Sequence, residues 1–295
     1  MLSLTVVSVG ALPAYAQEPA GVEAEATPSG CPAVAAPVPI DDQRYRTGTN
    51  PRHTLDIYPA PAGPAKPIVI TVHGGGWIGG DNSGKRITCI TQALHDLGYA
   101  VFSINYRQAT PEQDGVPMQT NDITVATKWV KANGAAYGGD TSNITLLGGS
   151  SGAQLVALAG LLINKAGQPP VLRGVIEMSG VMDFPSFFNQ PGQPPPGDEQ
   201  HKGASTYLGC VPSACTQAEL RAASPAWRIN GQTCPDFLLI NGQTELLPVT
   251  QATNMHESLQ SAGCDSEIRL PNTSQHGLAL FPFTETFIVD FLNNP

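Results

Sequence analysis

Residues 144–164, ITLLGGSSGAQLVALAGLLIN, decide the fold. The first four are apolar or β-branched and predict a buried strand, and the last twelve are rich in Ala and Leu and predict a buried helix. Only GGSSG lies between them, so the chain turns from strand to helix within five residues. A strand that leads through a tight turn into a packed helix is typical of an α/β protein with a parallel sheet.

The same alternation continues on both sides of this stretch. Further strands are predicted at 53–58, 67–73, 101–105, 174–178, 237–240 and 267–270. Helices are predicted at about 84–97, 121–133, 249–262 and 283–293. Strands that alternate with crossover helices imply a mostly parallel sheet that is covered by helices on both faces.

One segment, 184–230, is too long for an ordinary connection, which has about 4–6 residues. It follows the C-terminal end of a predicted strand, where ligands bind in such sheets. We therefore interpret it as a lid-like insertion, with a decorated linker as the alternative.

Composition excludes several classes of protein. The 295-residue chain is 41% hydrophobic, which is enough for a large core and too much for a disordered protein. Charged residues make up only 13%, the net charge is −9, and no run of Lys or Arg is present, so nucleic-acid binding is not expected. Few charges and six cysteines favour an exported protein.

The N-terminus supports export. Residues 2–16, LSLTVVSVGALPAYA, are apolar and end in A-x-A, which predicts a signal peptide over 1–16 and a secreted or periplasmic protein. No Lys or Arg precedes the run, and a buried N-terminal strand is the alternative. Residues 17–43 are predicted to be a flexible Ala/Pro-rich lead-in to one domain at 44–295. No later segment approaches the about 20 apolar residues of a membrane span, so stable membrane insertion is not expected.

Export makes disulfides plausible, and two pairs can be argued locally. Cys210 and Cys215 bracket a four-residue loop. Cys234 and Cys264 each precede a predicted strand, and in neighbouring parallel strands they lie at the same end of the sheet. Cys31 and Cys89 remain as a third pair only by elimination, and free buried cysteines are the alternative throughout.

Ser150 is the candidate nucleophile. It is the centre of a G-x-S-x-G motif between a strand and a helix, the context in which such a serine is exposed on a sharp turn. This turn has no room for side chains two residues before and two residues after the serine, and the glycines Gly148 and Gly152 stand at these positions. Ser151 is a second candidate, but the motif no longer fits when it is centred there. A phosphate-binding loop is disfavoured because no Lys follows.

The stretch HGGGW at 73–77 directly follows a predicted strand. Three glycines allow backbone N–H groups to turn toward an incoming oxygen, as the oxyanion of an acyl transfer requires. The N–H of Ser151 is expected to add a donor from the turn at the nucleophile. His73 is interpreted as a residue that orients this loop, because a catalytic base is expected after the serine.

The candidate base is His276, in the loop after the predicted strand at 267–270. A loop that follows a late strand lies at the active edge of the sheet. Two other histidines follow Ser150, but His256 falls in a predicted amphipathic helix and His201 in the polar part of the insertion.

The candidate acid is Glu245, the only carboxylate of the loop 241–248 after the predicted strand at 237–240. A carboxylate there would hold the imidazole tautomer and stabilise the imidazolium. Asp183, one strand earlier, is the runner-up. An exposed charge near a helix N-terminus is the alternative for Glu245.

Together these motifs resemble α/β-hydrolase carboxylesterases of the hormone-sensitive-lipase-like and acetylesterase/feruloyl-esterase-like groups. The resemblance covers about residues 52–293 and includes DIYPA, VHGGGWIGGD, GYAVFSINYR, ITLLGGSSGAQL, LLINGQTELLP and QHG. It implies an eight-stranded, mostly parallel sheet and a Ser–acid–His triad with Ser150 and His276. It also implies that Gly74, Gly75 and Ser151 are the oxyanion donors.

The chain departs from these families at the acid, which is usually Asp, whereas Glu245 stands here. The Pro/Ala-rich lead-in in place of a helical cap favours the smaller-lidded acetyl/feruloyl-like group.

The resulting prediction is a serine carboxylesterase that hydrolyses small, short-acyl or aromatic esters through an acyl-enzyme. An amidase, arylformamidase or peptidase on the same fold is an alternative, as is a non-catalytic binding module. No metal or other cofactor is expected, the expected partner is a small-molecule ester, and the sequence does not give the oligomeric state. Pocket walls are predicted at Trp77, Phe184, Phe187, Phe188, Leu246 and Leu278.

Overall fold

The computed structural model describes residues 39–189, 201–211, 213–231 and 233–294. Its strands are β1 (Ile40–Arg44), β2 (Thr54–Tyr58), β3 (Lys66–Val72), β4 (Ala100–Ile104), β5 (Gly139–Gly149), β6 (Gly174–Met178), β7 (Asp236–Ile240) and β8 (Ser266–Arg269). They form one eight-stranded sheet in the order β1-β2-β4-β3-β5-β6-β7-β8. The pairs β1–β2 and β2–β4 are antiparallel and the other five pairs are parallel, so the predicted mostly parallel sheet is confirmed.

Eight helices occur within the described residues: α1 (Lys85–Asp96), α2 (Met118–Asn133), α3 (Ser151–Ile163), α4 (Phe184–Phe188), α5 (Lys202–Leu208), α6 (Gln217–Ala223), α7 (Thr250–Ser261) and α8 (Phe281–Asn293). Apolar residues of α1 and α8 pack on one face of the sheet, and those of α2, α3 and α7 pack on the other. Alternate residues of β3 follow the same division, since Ile68 and Ile70 join one core and Val69 the other. The predicted helices on both faces are confirmed.

The sheet begins earlier than the composition predicts. Strand β1 lies almost entirely within 17–43, the expected flexible lead-in, so the domain boundary expected at residue 44 is wrong by about four residues. Composition misses this strand because its residues are mostly exposed at the sheet edge and pair with β2 through backbone hydrogen bonds. The predicted signal peptide and Cys31 lie outside the described residues.

The insertion 184–230 contains α4, α5, α6 and a short 3₁₀ turn at Pro225–Trp227. Its described residues include a group of buried aromatic side chains that joins the larger core. Tyr207 stacks on Trp77 with ring centroids 5.1 Å apart, and Phe184 lies 5.7 Å from the same ring. The insertion therefore packs directly on the glycine-rich stretch 73–77.

Both locally argued disulfides are confirmed. Cys210 and Cys215 are bonded within the insertion, and Cys234 and Cys264 are bonded ahead of β7 and β8. The second pair forms because β7 and β8 are neighbouring parallel strands, with Phe237 opposite Ser266. Within the described ranges, no helix combines the length and the apolar character needed to cross a membrane.

Candidate active site

Ser150 lies on the turn between β5 and α3, with φ 56° and ψ −125°. Such a conformation is costly for a residue with a side chain. The turn is tight because a Cβ on Gly148 would collide with the carbonyl oxygen of Gly152. A Cβ on Gly149 would lie 2.6 Å from the Leu278 side chain, so this position also has no room for a larger residue. The backbone N–H of Ser150 donates to the carbonyl oxygen of Met178 at 2.9 Å, which ties the turn to β6.

His276 reaches Ser150 from the loop after β8. Its Nε2 lies 2.9 Å from the Ser150 Oγ. The next residue, Gly277, has φ 57° and packs so closely on the turn that an added Cβ would lie 3.2 Å from the Ser150 nitrogen. This close approach of two backbones brings the imidazole to the hydroxyl.

Glu245 lies on the other side of the same imidazole. Its Oε2 forms a short hydrogen bond with Nδ1 of His276, and its side chain is completely buried. Its Oε1 accepts hydrogen bonds from the N–H of Gly242 at 2.9 Å and from the Ser179 hydroxyl at 2.6 Å. These two donors hold one carboxylate oxygen in place and leave the other to face His276.

The loop that carries Glu245 is closed by a buried amide. The side-chain nitrogen of Asn241 donates to the carbonyl oxygen of Leu247 at 3.2 Å and to that of Gly242 at 3.0 Å. Because these bonds join both ends of the loop, the Glu245 side chain is directed inward, toward His276. The structure therefore brings Ser150, His276 and Glu245 into one hydrogen-bonded chain.

The glycine-rich stretch runs beside the nucleophile turn. A Cβ on Gly74 would lie 2.9 Å from the carbonyl oxygen of Gly149 and 3.1 Å from the Cβ of Ser150. Ser151 opens α3, so its N–H is among the helical donors that have no partner within the helix. The glycine-rich stretch thus passes beside Ser150, and Ser151 follows Ser150 directly at the start of α3.

His73 does not contact Ser150 through its ring. The imidazole stacks on Tyr106, with centroids 4.4 Å apart, and its Nδ1 lies 2.7 Å from the carbonyl oxygen of Gly74. Burial lowers the pKa of His73 to about 4, so the ring is neutral at physiological pH. A neutral, stacked imidazole supports the loop and cannot serve as an exposed base.

The predicted pocket residues are distributed unevenly. Trp77 and Leu278 are at least nine-tenths buried and Phe184 is fully buried, whereas Leu246 is 73% exposed and follows Glu245 directly. Trp77 stacks on Tyr207, and its Nε1 donates to Oε1 of Gln154 at 2.9 Å. Phe187 and Phe188 are also buried, in contact with the ring of His201 rather than with that of Trp77.

The other candidate residues lie elsewhere. The side chain of His256 pairs with Ser266 at 2.9 Å, between α7 and β8. Asp183 accepts a hydrogen bond from the indole N–H of Trp227 at 2.9 Å. Neither residue takes part in the hydrogen-bonded chain that contains Ser150.

The sequence analysis did not single out two residues that lie at the site, Glu177 in β6 and Ser179 just after it. Glu177 is fully buried, and its Oε2 accepts from the N–H of Gly180 at 2.9 Å. Burial, with a smaller contribution from the charge of Glu245, raises the pKa of Glu177 to about 8. Glu177 could have been noticed in the sequence, because it is a charged residue in the otherwise apolar run GVIEM. No sequence feature pointed to Ser179.

A mostly parallel sheet with helices on both faces, and a serine on a sharp turn after a central strand, is the architecture of the α/β hydrolases. The family model BD-FAE matches residues 55–259 of the chain. The protein therefore belongs to the BD-FAE family of α/β hydrolases.

The curated relatives include two esterases of Mycobacterium tuberculosis. Esterase LipQ is 30% identical over 232 residues, which cover 74% of this chain and 52% of LipQ. Esterase LipC is 27% identical over 255 residues, which cover 80% of this chain and 59% of LipC. This chain thus spans somewhat over half the length of these relatives.

Solved structures of similar fold include a truncated carbohydrate esterase from gut microbiota. It has a TM-score of 0.72 and 23% identity, and the match covers 87% of this chain and 95% of that one. At this identity the likeness shows the fold alone. Esterase B from Lactobacillus rhamnosis has a TM-score of 0.64 and 26% identity, with 78% of this chain and 73% of that chain covered.

Proposed function

We propose that this protein is a serine carboxylesterase that hydrolyses small carboxylic esters through an acyl-enzyme. The observation that carries the proposal is the chain of contacts from the Ser150 Oγ to His276 Nε2, at 2.9 Å, and from His276 Nδ1 to Glu245. A nucleophile, a base and a residue that orients the base are the groups that acyl transfer requires. The esterase names of the relatives support the choice of an ester as substrate.

In this mechanism the Ser150 oxygen attacks the ester carbonyl carbon while His276 Nε2 takes its proton. Collapse of the tetrahedral intermediate breaks the bond to the alcohol oxygen, and His276 returns the proton to the leaving alcohol. A water molecule, deprotonated by the same nitrogen, then attacks the acyl-enzyme and releases the carboxylic acid. Glu245 keeps Nδ1 protonated and stabilises the imidazolium in both halves of the reaction.

The oxyanion of each intermediate needs fixed donors. We assign this role to the backbone N–H groups of Gly74, Gly75 and Ser151, because the glycine-rich stretch passes alongside the nucleophile turn. Each donor of this kind contributes about 2.7–4 kcal/mol to lowering the barrier.

The proposed substrates carry short-acyl or flat aromatic groups. Trp77, Phe184 and Leu278 are bulky, and each is at least nine-tenths buried, so packing restricts their movement. A site bounded by such side chains favours a compact acyl group over a long alkyl chain. Leu246, exposed beside Glu245, is available to contact the alcohol part of the ester at the entrance.

We also propose that the protein is secreted or periplasmic. Disulfides persist in oxidising compartments and are rare in the cytosol. Two disulfides in the described residues support a location outside the cytoplasm.

The test is hydrolysis of p-nitrophenyl butyrate by wild type and by Ser150→Ala, with Ser258→Ala as a matched control. Ser258 donates to the carbonyl oxygen of Asn254 within α7 and is remote in sequence from the three site residues. We expect Ser150→Ala to lose about 10⁴-fold or more in kcat and the control to lose less than twofold. Activity retained by Ser150→Ala refutes the assignment.

The same enzyme preparation is compared on p-nitrophenyl acetate, methyl ferulate and a butyryl anilide. If the anilide is turned over faster than the esters, the proposed activity is that of an amidase and not of an esterase. A higher kcat/KM for an eight-carbon or longer acyl chain would refute the restriction to compact acyl groups.

A further inference from the structure

Ser179 lies where three parts of the site meet. It follows β6 and is fully buried, and the mechanism proposed above assigns it no role. Its hydroxyl donates to Oε1 of Glu245 at 2.6 Å and accepts from the N–H of Gly277 at 3.0 Å. Gly277 is the residue directly after His276, so one hydroxyl joins the acid to the loop that carries the base.

We propose that Ser179 is a positioning residue, whose hydroxyl holds Glu245 and the His276 loop in the relative placement that proton transfer needs. This inference rests on the proposed function, because it assigns Ser179 a role through Glu245 and His276.

The direction of the hydroxyl proton is determined by its neighbours. The N–H of Gly277 can only donate, so the Ser179 oxygen must accept from it. The single hydroxyl proton is then available for the Glu245 carboxylate, whose Oε1 lies 2.6 Å from the Ser179 oxygen. With the N–H of Gly242 as a second donor, Oε1 is fully engaged, and Oε2 is left to face the imidazole.

The backbone of Ser179 is held in place for this purpose. The residue has φ 60°, in the left-handed region that a residue with a Cβ seldom adopts. Its N–H donates to the carbonyl oxygen of Ile240, the last residue of β7, at 2.8 Å. The N–H of Gly180 donates to the buried carboxyl of Glu177 at 2.9 Å. Both bonds hold the strained turn, and together they direct the hydroxyl toward Glu245.

A glutamate needs such support more than an aspartate does. Its side chain has one more methylene and one more rotatable bond, so its carboxylate is less restricted by its own backbone. Burial and the nearby charge of Glu245 raise the pKa of Glu177 to about 8, which keeps Glu177 neutral near pH 7. The Ser179 hydroxyl is directed at Glu245, the carboxyl group that faces His276.

The first experiment compares Ser179→Ala and Ser179→Gly with wild type. Neither variant has the hydroxyl, but alanine keeps the backbone cost and glycine removes it. We expect kcat for p-nitrophenyl butyrate to fall by about 10–100-fold in both, with KM within about twofold, because a loss of placement affects the transition state more than binding. Wild-type kcat in both variants would overturn the proposal.

A second measurement separates positioning from a general structural role. In a Glu245→Ala background, Ser179→Ala should cost less than about twofold further in kcat, because the group through which it acts is gone. If Ser179 only stabilises the fold, its 10–100-fold loss recurs in that background. Melting temperatures are recorded for every variant, and Ser258→Ala is the control for loss of a serine hydroxyl.

The outcome is distinguishable from failure of the proposed function. The rate at which a fluorophosphonate labels Ser150 reports activation of the serine without any choice of ester. Labelling retained by Ser150→Ala contradicts the proposed mechanism. Labelling abolished in Ser150→Ala but unchanged in both Ser179 variants contradicts the positioning role alone.

Discussion

Replacing Glu245 by glutamine tests the hydrogen-bond direction on which the proposed mechanism depends. In the structure Oε1 accepts from two donors, Ser179 and Gly242, and Oε2 faces Nδ1 of His276. A glutamine oxygen can satisfy the two donors only at the Oε1 position, because the N–H of Gly242 cannot become an acceptor. The amide NH₂ group then faces His276.

An NH₂ group opposite Nδ1 inverts the imidazole tautomer. Nδ1 must accept, so Nε2 carries the proton and directs it at the Ser150 hydroxyl, which it can then no longer deprotonate. A triad with the wrong tautomer loses about 10⁴ in kcat, which corresponds to about 5.5 kcal/mol at about 1.36 kcal/mol per tenfold. The alternative amide orientation avoids the inversion but places two hydrogen-bond donors against each other at Gly242, 2.9 Å away.

The assay is steady-state hydrolysis of p-nitrophenyl butyrate, with Glu245→Asp and Asp183→Asn as companions. Glu245→Asp keeps the charge but shortens the side chain by one methylene, so it cannot reach Gly242, Ser179 and His276 together, and we expect a 10–100-fold loss in kcat. Asp183→Asn should lose less than about threefold, since among the described residues the Asp183 carboxylate bonds Trp227 and neither Ser150 nor His276. A kcat for Glu245→Gln within tenfold of wild type would refute the reasoning, and a large loss in Asp183→Asn would transfer the role to that residue.

Three further predictions concern the glycine-rich loop, the buried acid and a disulfide. Gly74→Ala places a Cβ 2.9 Å from the carbonyl oxygen of Gly149, and we expect it to lower kcat for ester hydrolysis by about 10²–10³-fold. An unaltered kcat would show that Gly74 is not part of the oxyanion site. Burial raises the pKa of Glu177 to about 8, against about 4.3 in an unfolded chain, so the folded protein binds the additional proton between these values and its unfolding free energy falls as pH rises across that window. Glu177→Gln should flatten this fall in melting temperature between pH 5 and 9, and an unchanged pH profile would contradict it. Replacing Cys234 and Cys264 by serine opens a loop of sequence separation 30 and should cost about 3–4 kcal/mol, or about 6–16 °C in melting temperature by calorimetry; a shift below 2 °C would contradict the estimate.

Much of the fold could be predicted because its signals are local. The continuous β-branched run of β3 and the Ala/Leu-rich α3 are buried from both sides, and burial leaves an unbroken apolar pattern in the sequence. The G-x-S-x-G turn was also recognisable from the sequence, because Gly148 packs on the carbonyl group of Gly152 within the turn itself. β1 escaped prediction because an exposed edge strand of mostly polar residues is held by backbone pairing, which leaves no such pattern.

The candidate site likewise has parts that the sequence predicted and parts that it could not predict. His276 and Glu245 were predicted from the order of the strands and the loops that follow them, because parallel strands bring their carboxyl ends to one edge of the sheet. The structure puts His276 against Ser150 and Glu245 against the other nitrogen of His276, and it puts Asp183, the runner-up acid, against Trp227 instead. The sequence could not decide this, because both carboxylates follow strands that end at the same edge.

The sequence by itself determined most of the strands and helices, where the nucleophile turn lies and which loop carries the candidate base. Only the tertiary structure decided that Ser179 joins Glu245 to the His276 loop, and that Glu177 is buried near it. The physical reason is distance along the chain. Propensity, periodicity and turn chemistry act over a few residues, whereas Ser179 and Glu245 are 66 residues apart and meet only because β6 and β7 pair in the sheet.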